Sequence, residues 1–233
     1  MNLWRAASAA LLDVVFPRHC VQCGASGEWI CASCAAGVHA MTAPLCECCG
    51  REVGAGNRCQ ECAKDRPKID GIRAYSRYEG AIRHAIHRLK YGGERAMAAP
   101  LASLLEPVAL SLPFDVIMAL PLHPRRERER GYNQSRLIAS AMSRSLDAPV
   151  VDAAVRVRDT KDQVGLDRAK RLANVKGAFA CSSSASVAGK RVLLVDDVCT
   201  TGASLLACAA PLFEAGAASV WGLVVARQDY ERT

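Results

Sequence analysis

The sequence predicts an α/β domain, a mostly parallel sheet flanked by helices, behind a small cysteine-rich module. Three observations carry this. Apolar runs of strand length recur between stretches at helical spacing. Nine of the twelve cysteines lie between Cys20 and Cys62. At 233 residues, 51% hydrophobic and 23% charged, the chain has the length and composition of one sizeable globular domain plus a small one. That excludes a disordered chain and a coiled coil. No apolar run approaches the roughly 18 residues that span a bilayer, so no stable membrane insertion is expected.

Residues 1–19 predict a short amphipathic helix, because Leu3, Ala7, Leu11, Val14 and Val15 share one helical face. A signal peptide fits less well: Asp13 interrupts the apolar stretch and no small-residue cleavage site precedes Cys20. The expectation is a cytoplasmic protein with reduced cysteines.

Residues 20–62 repeat one pattern. Cys20-Val-Gln-Cys23-Gly24 and Cys31-Ala-Ser-Cys34 are followed by Cys46-Glu-Cys-Cys49-Gly50 and Cys59-Gln-Glu-Cys62. Two sulfurs three residues apart grip one metal from a tight turn, and the glycine behind them takes a conformation that aims N–H groups at the thiolates. Four thiolates complete a closed tetrahedral zinc site, structural in kind. The ligands expected are Cys20, Cys23, Cys31 and Cys34 for one ion, and Cys46, Cys49, Cys59 and Cys62 for the other. Interleaved pairing, or ligation by His19 or Cys48, is the alternative. So short a module has little core, and metal supplies its folding energy. Residues 63–72, with Pro67 and Gly71, read as a linker to a domain over 73–233.

Net charge is +7, and it is uneven: residues 1–70 hold seven Lys/Arg and seven Asp/Glu, so the excess lies beyond them. A basic domain of this size suits phosphate-bearing partners, or carries a solvated basic surface. Residues 73–95 interleave six Lys/Arg with Tyr75, Tyr78 and Tyr91. Such a mixture binds single-stranded nucleic acid by phosphate contact and base stacking, or is a helix surface with inward tyrosines. Helices are expected over 81–90 and 96–110. Residues 115–120 form a buried strand ended by Pro121, and 135–146 a helix. Residues 190–195 form a second strand ended by Asp196 and Asp197. Residues 203–215 form a helix stopped by Gly216, and 218–226 a third strand. This order implies right-handed crossovers.

The densest signal is Val192-Leu-Leu-Val-Asp-Asp-Val-Cys-Thr-Thr-Gly-Ala-Ser204. A buried strand delivers two carboxylates to the sheet edge where α/β folds bind ligands. Adjacent carboxylates accept from a vicinal diol. The following small, hydroxylated loop opens a helix whose free N–H groups favour an anion. Together they make a socket for a sugar phosphate, or a strand–turn–helix with Thr200 or Thr201 as a polar cap. Neither a P-loop nor a dinucleotide fingerprint is present.

This string resembles the 5-phosphoribosyl-1-pyrophosphate (PRPP) signature of type I phosphoribosyltransferases. With the cysteine module in front, the chain is similar to the ComF/GntX family of competence-protein-F-like proteins. Arg88-Leu-Lys-Tyr-Gly-Gly93, Pro121-Leu-His-Pro-Arg-Arg126, Arg130-Gly-Tyr-Asn-Gln134 and Gly177-Ala-Phe179 add to the likeness. The resemblance implies a type I phosphoribosyltransferase fold, in which Asp196 and Asp197 hold the ribose hydroxyls. It implies that Val198, Cys199, Thr200, Thr201, Gly202, Ala203 and Ser204 cradle the 5-phosphate. Leu120, Pro121, Leu122, Arg125 and Arg126 correspond to the pyrophosphate loop. Arg158, Thr160, Gln163 and Arg171 correspond to a mobile loop that closes over PRPP. Mg²⁺ with PRPP, two structural Zn²⁺, single-stranded DNA and other DNA-uptake proteins are the implied cofactors and partners. A transferase of nucleotide or amine metabolism, or a PRPP-sensing regulator, is the alternative role. No residue stands out as a general base, and only seven residues follow Ala226, too few for a C-terminal hood over an acceptor.

Overall fold

A computed structural model describes residues 18–160 and 168–228. Most of the N-terminal helix expected over 1–19, and Gln163 of the expected mobile loop, lie outside the described residues.

The sheet has four parallel strands in the order β1-β6-β5-β2, where β1 is Gly71–Arg77, β2 Val116–Ala119, β5 Arg191–Cys199 and β6 Ser219–Arg227. A separate two-stranded antiparallel sheet pairs β3 (Ala154–Arg156) with β4 (Phe179–Cys181). The helices are α1 (Ala32–Ala36), α2 (Gln60–Lys64), α3 (Gly80–Tyr91), α4 (Ala98–Ala109), α5 (Pro124–Arg130), α6 (Gln134–Leu146), α7 (Arg168–Val175) and α8 (Ala203–Glu214).

Both faces of the sheet are covered, so the central strands read as continuous apolar runs. Side chains alternate between the faces. Leu193 and Val195 of β5 pack with Ile82, Ile86 and Leu89 of α3, Leu101 and Leu105 of α4, and Ile138 and Met142 of α6. Val192 and Leu194 meet Leu205, Cys208 and Leu212 of α8, with Val175 and Phe179. Among the described residues no helix is long and apolar enough to cross a membrane.

Two strand limits differ from expectation. β5 does not stop at the carboxylates; it runs to Cys199, because β6 stays alongside, pairing Asp196 with Val224 and Cys199 with Arg227. Residues 71–77, partly assigned to the linker and partly to a basic surface, form edge strand β1. Its exposed positions carry charges, which hide the alternation that buries Ile72, Ala74 and Ser76.

The cysteine module covers that open edge, which would otherwise be a liability. Met41 N–H donates to Tyr75 O at 2.9 Å, Arg77 N–H to His39 O at 3.0 Å, and Ile72 N–H to Cys48 O at 2.9 Å. The last contact needs Gly50, at φ +69°, where a Cβ would sit 2.2 Å from the Ile72 carbonyl oxygen. Gly50→Ala adds that clash to the roughly 1–2 kcal/mol of a left-handed non-glycine residue. Its thermal midpoint is therefore expected to fall by several degrees. Gly54→Ala, with no atom within 4 Å and no positive φ, is the matched control. Equal midpoints for the two variants would contradict this account of the docking.

Candidate functional site

The site forms where β5 ends between α3, α6 and α8. Asp197 shares the parity of Leu193 and Val195, so it faces α3. Lys90, in the last turn of α3, reaches it at 2.7 Å. The lysine side chain is 19% exposed and the aspartate 3%, so this is a buried ion pair. Asp196 accepts from the Ser135 hydroxyl at 2.7 Å, at the start of α6. Asn133 caps that helix, accepting from Ser135 N–H at 3.0 Å and Arg136 N–H at 3.3 Å.

The two carboxylates oppose each other. Burial, then the charge of Asp197, pushes Asp196 up to about 7, while Lys90 and Ser135 pull it back. Burial also works against the Lys90 ammonium, but Asp197 and Asp196 outweigh it and hold the lysine above its ordinary value. The cluster thus holds two adjacent carboxylates, one of which titrates near neutrality.

Beyond the carboxylates the chain turns into α8. Val198 N–H donates to Asp197 Oδ1 at 2.7 Å. Gly202 takes φ +79° as the residue preceding the helix, and Thr201 Oγ1 accepts from Ala203 N–H at 3.3 Å. Of the two expected caps, Thr201 therefore bonds the helix start. Asp196, Val198, Cys199, Thr200, Gly202, Ala203 and Ser204 line a cleft of about 50 Å³ over this helix N-terminus. A cation stands beside it: Arg171, buried in α7, donates to Thr200 Oγ1 at 2.7 Å.

On the other side of Lys90 lies a cavity of about 840 Å³. Its walls include Lys90, Tyr91, Arg125, Arg126, Arg130, Asp159 and Thr160. Of the expected pyrophosphate loop, Leu120 continues the sheet, its N–H donating to Val195 O at 2.8 Å and its carbonyl accepting from Asn133 Nδ2 at 3.0 Å. The loop proper ends at His123. Pro124 starts α5, so Arg125 and Arg126 sit in a first helical turn, not in an extended loop. Asp159 lies 3.6 Å from Arg125 and 3.8 Å from Arg126. Thr160 is buried; its hydroxyl accepts from Arg156 and its carbonyl from Arg126 at 3.2 Å. Arg158 donates to the carbonyls of Asn174, in α7, and Lys176, just after it.

The eight expected zinc ligands form two groups in sequential pairing: Cys20, Cys23, Cys31 and Cys34, then Cys46, Cys49, Cys59 and Cys62. Within each, all four sulfurs lie within 4.8 Å of one another. Contacts of 3.5 Å (Cys23 to Cys31) and 3.8 Å (Cys49 to Cys59) match the edge of about 3.8 Å that a tetrahedron with ~2.3 Å Zn–S bonds requires. The donor sets fit two closed structural zinc sites. His19 and Cys48 belong to neither, and burial pushes the Cys48 thiol up.

Sequence reasoning missed two residues and undervalued a third. Ser135 and Arg227 carried no signal. Lys90 reads in the sequence as a basic helix residue within reach of an active-site phosphate; the structure pairs it with Asp197. Arg227, at the end of β6, is 2% exposed. It donates to the Cys49 carbonyl and to Thr200 O at 3.3 Å, and lies 3.7 Å from Cys199 Sγ.

Comparison with known proteins agrees with this architecture. Residues 11–63 match the double zinc ribbon domain and residues 133–231 the phosphoribosyl transferase domain. The chain is 33% identical over 207 residues to competence protein F of Haemophilus influenzae, spanning 83% of this chain and 89% of that one. It is 33% identical to DNA utilization protein YhgH of Salmonella typhi, spanning 84% and 89%. Competence protein ComFC of Bacillus subtilis is 29% identical, spanning 86% and 85%. Fold and site together define a phosphoribosyltransferase-fold domain joined to a double zinc ribbon. The chain belongs to the ComF/GntX family of competence-protein-F-like proteins.

Proposed function

We propose that this protein binds PRPP and uses that site in handling single-stranded DNA during natural transformation, in the cytoplasm, where its zinc thiolates stay reduced. The observation that carries the reading is the adjacent carboxylates of Asp196, half-buried, and Asp197, buried, beside a helix N-terminus, with cations on both sides. The 5-phosphate sits over residues 198–204, and the carboxylates accept from the ribose hydroxyls. The pyrophosphate lies toward Arg125 and Arg126. Mg²⁺ accompanies PRPP and neutralises its pyrophosphate; no dedicated protein ligand for it is assigned. Arg171, together with Arg158, Thr160 and Gln163, belongs to the segment that closes the site. The names of the relatives, competence protein F and DNA utilization protein, support the DNA role and DNA-uptake proteins as partners.

The size of the 840 Å³ cavity favours a second reading, a transferase. A nitrogen nucleophile there would form a bond to the anomeric carbon as the bond to pyrophosphate breaks and pyrophosphate leaves with the electron pair. The protein would contribute position and charge stabilisation.

The test is single-stranded DNA affinity against salt, with and without Mg²⁺–PRPP. Asp196→Asn/Asp197→Asn loses several charge-assisted hydrogen bonds, each worth roughly 1.5–3 kcal/mol, so PRPP affinity is expected to fall about 100-fold or more. The wild type is expected to bind single strands with a steep salt slope, and PRPP is expected to shift that affinity only when the acids are intact. No binding at low salt would sink the DNA role. PRPP-dependent pyrophosphate release with a nucleobase or amine would establish the transferase.

A further inference from the structure

The large cavity holds more than the proposed function uses. A cavity of about 840 Å³ lies in the upper range for a whole organic ligand, far more than a pyrophosphate fills. Its chemistry changes along its length. At the inner end Lys90 is committed to Asp197. One residue on, where α3 ends, Tyr91 points the other way and is 68% exposed. Large apolar side chains this exposed are few among the described residues, and of these Tyr91 alone lines the cavity. Its ring has the Arg130 guanidinium 5.4 Å from its centroid and the His87 ring 4.9 Å away. Arg125, on the same helix, is engaged by Glu129 at 2.9 Å and by Asp159 at 3.6 Å, which leaves Arg130 as the cation beside the ring.

An exposed ring beside cations at the mouth of a basic cavity has the chemistry of a base-stacking platform with phosphate ligands next to it. Surface packing alone explains the Arg130 contact, but not why the ring stays open to solvent at this one wall. We propose that Tyr91 stacks an unpaired nucleobase, while Arg130 takes the adjoining phosphate. The occupant is a nucleotide of a single strand, held within reach of bound PRPP. A base outside a strand has the same stacking chemistry, so the test must separate the two. This inference rests on the DNA-handling reading above and names its site.

The experiment uses the full zinc-loaded chain and a 2-aminopurine-labelled oligo-dT, followed by fluorescence. Free adenine, dAMP and a duplex of equal length are the comparison ligands. Tyr91→Ala is expected to weaken oligonucleotide binding about 5- to 100-fold, and Tyr91→Phe to stay within about twofold. Arg130→Gln is expected to lower the salt slope by about one. Because Tyr91 is exposed, these variants should melt with the wild type, which shows that the effect is local. If Tyr91→Ala binds the oligonucleotide as well as wild type does, the site is wrong while the DNA role stands. If wild type binds no oligonucleotide at all, the DNA role itself fails. If only free adenine or dAMP binds, sensitive to Tyr91→Ala, the strand is wrong and the cavity holds a small-molecule acceptor.

Discussion

Serine in place of Cys62, in the second zinc site, is expected to weaken Mg²⁺–PRPP binding by about tenfold or more. Serine in place of Cys23, in the first site, is expected to leave it within about twofold. The difference lies in what each ribbon touches. The second ribbon holds Arg227 through the Cys49 carbonyl, and Cys49 is itself one of its four thiolates. The same guanidinium meets Thr200 O and Cys199 Sγ, and Gln228 N–H bonds Cys199 O at 2.9 Å. A buried guanidinium that loses a partner bears the desolvation cost of the unmade bond, roughly 1–3 kcal/mol and more for a charge. Its relaxation is expected to shift Cys199 and Thr200, which it contacts, and with them the proposed phosphate loop. Structural zinc supplies about 10–16 kcal/mol to small ribbons, so losing a ligand loosens the knuckle itself. The first ribbon rests on Tyr75, Ile82 and Leu104, none of which belongs to the loop. Calorimetry of PRPP binding beside metal analysis of each variant reads both quantities. Arg227→Lys keeps the charge but loses the two-pronged reach, so it should reproduce the affinity loss with both metals in place. Unchanged PRPP affinity in Cys62→Ser would remove the link.

This contact also marks the limit of what could be read in advance. The strand–turn–helix around residues 192–204 and the zinc knuckles are legible because their pattern is local: four to thirteen consecutive residues carry strand, turn, cap and ligand together. Arg227 meets Cys49 across 178 positions of sequence, and Ser135 meets Asp196 across 61. Nothing near either residue announces the partner. β1 was obscured for a different reason. As an edge strand under the ribbon it keeps Arg73 and Arg77 on its outer positions, where Arg73 lies over Trp221 and bonds Glu47 O. Charge there reads as surface, although the backbone is buried by the module. The end of β5 was misjudged because a pair of aspartates normally interrupts a strand; here neighbouring β6 keeps the chain extended. For Lys90 the sequence offers a helix surface or a phosphate contact but not the ion pair, since its burial depends on where Asp197 points.

Lys90→Met is expected to be among the most damaging single changes to the folded protein, costing about 3–5 kcal/mol near pH 8. It leaves Asp197 buried without its cation, and breaking a buried pair from one side is far worse than never having it. The double variant Lys90→Met/Asp197→Asn should therefore recover much of the loss. The effect carries a pH signature. Asp196 titrates at about 7 in the folded protein, against about 3.9 for an ordinary aspartate. The folded state thus binds more protons than the unfolded one between roughly pH 4 and 7, so stability falls as pH rises through that window. Removing Lys90 takes away a charge that lowers this value, so the variant's decline should extend to higher pH and be mild at pH 5. In the proposed PRPP complex the ribose hydroxyls donate to the ionised acid, so PRPP affinity is expected to rise as Asp196 loses its proton. The phosphates of PRPP titrate nearby, with a second pKa of about 6, and Asp196→Asn isolates their share. Denaturant unfolding at pH 5 and pH 8 on the single and double variants decides the matter. A double variant no more stable than Lys90→Met would show that the lysine acts through packing of its stem and not through the ion pair.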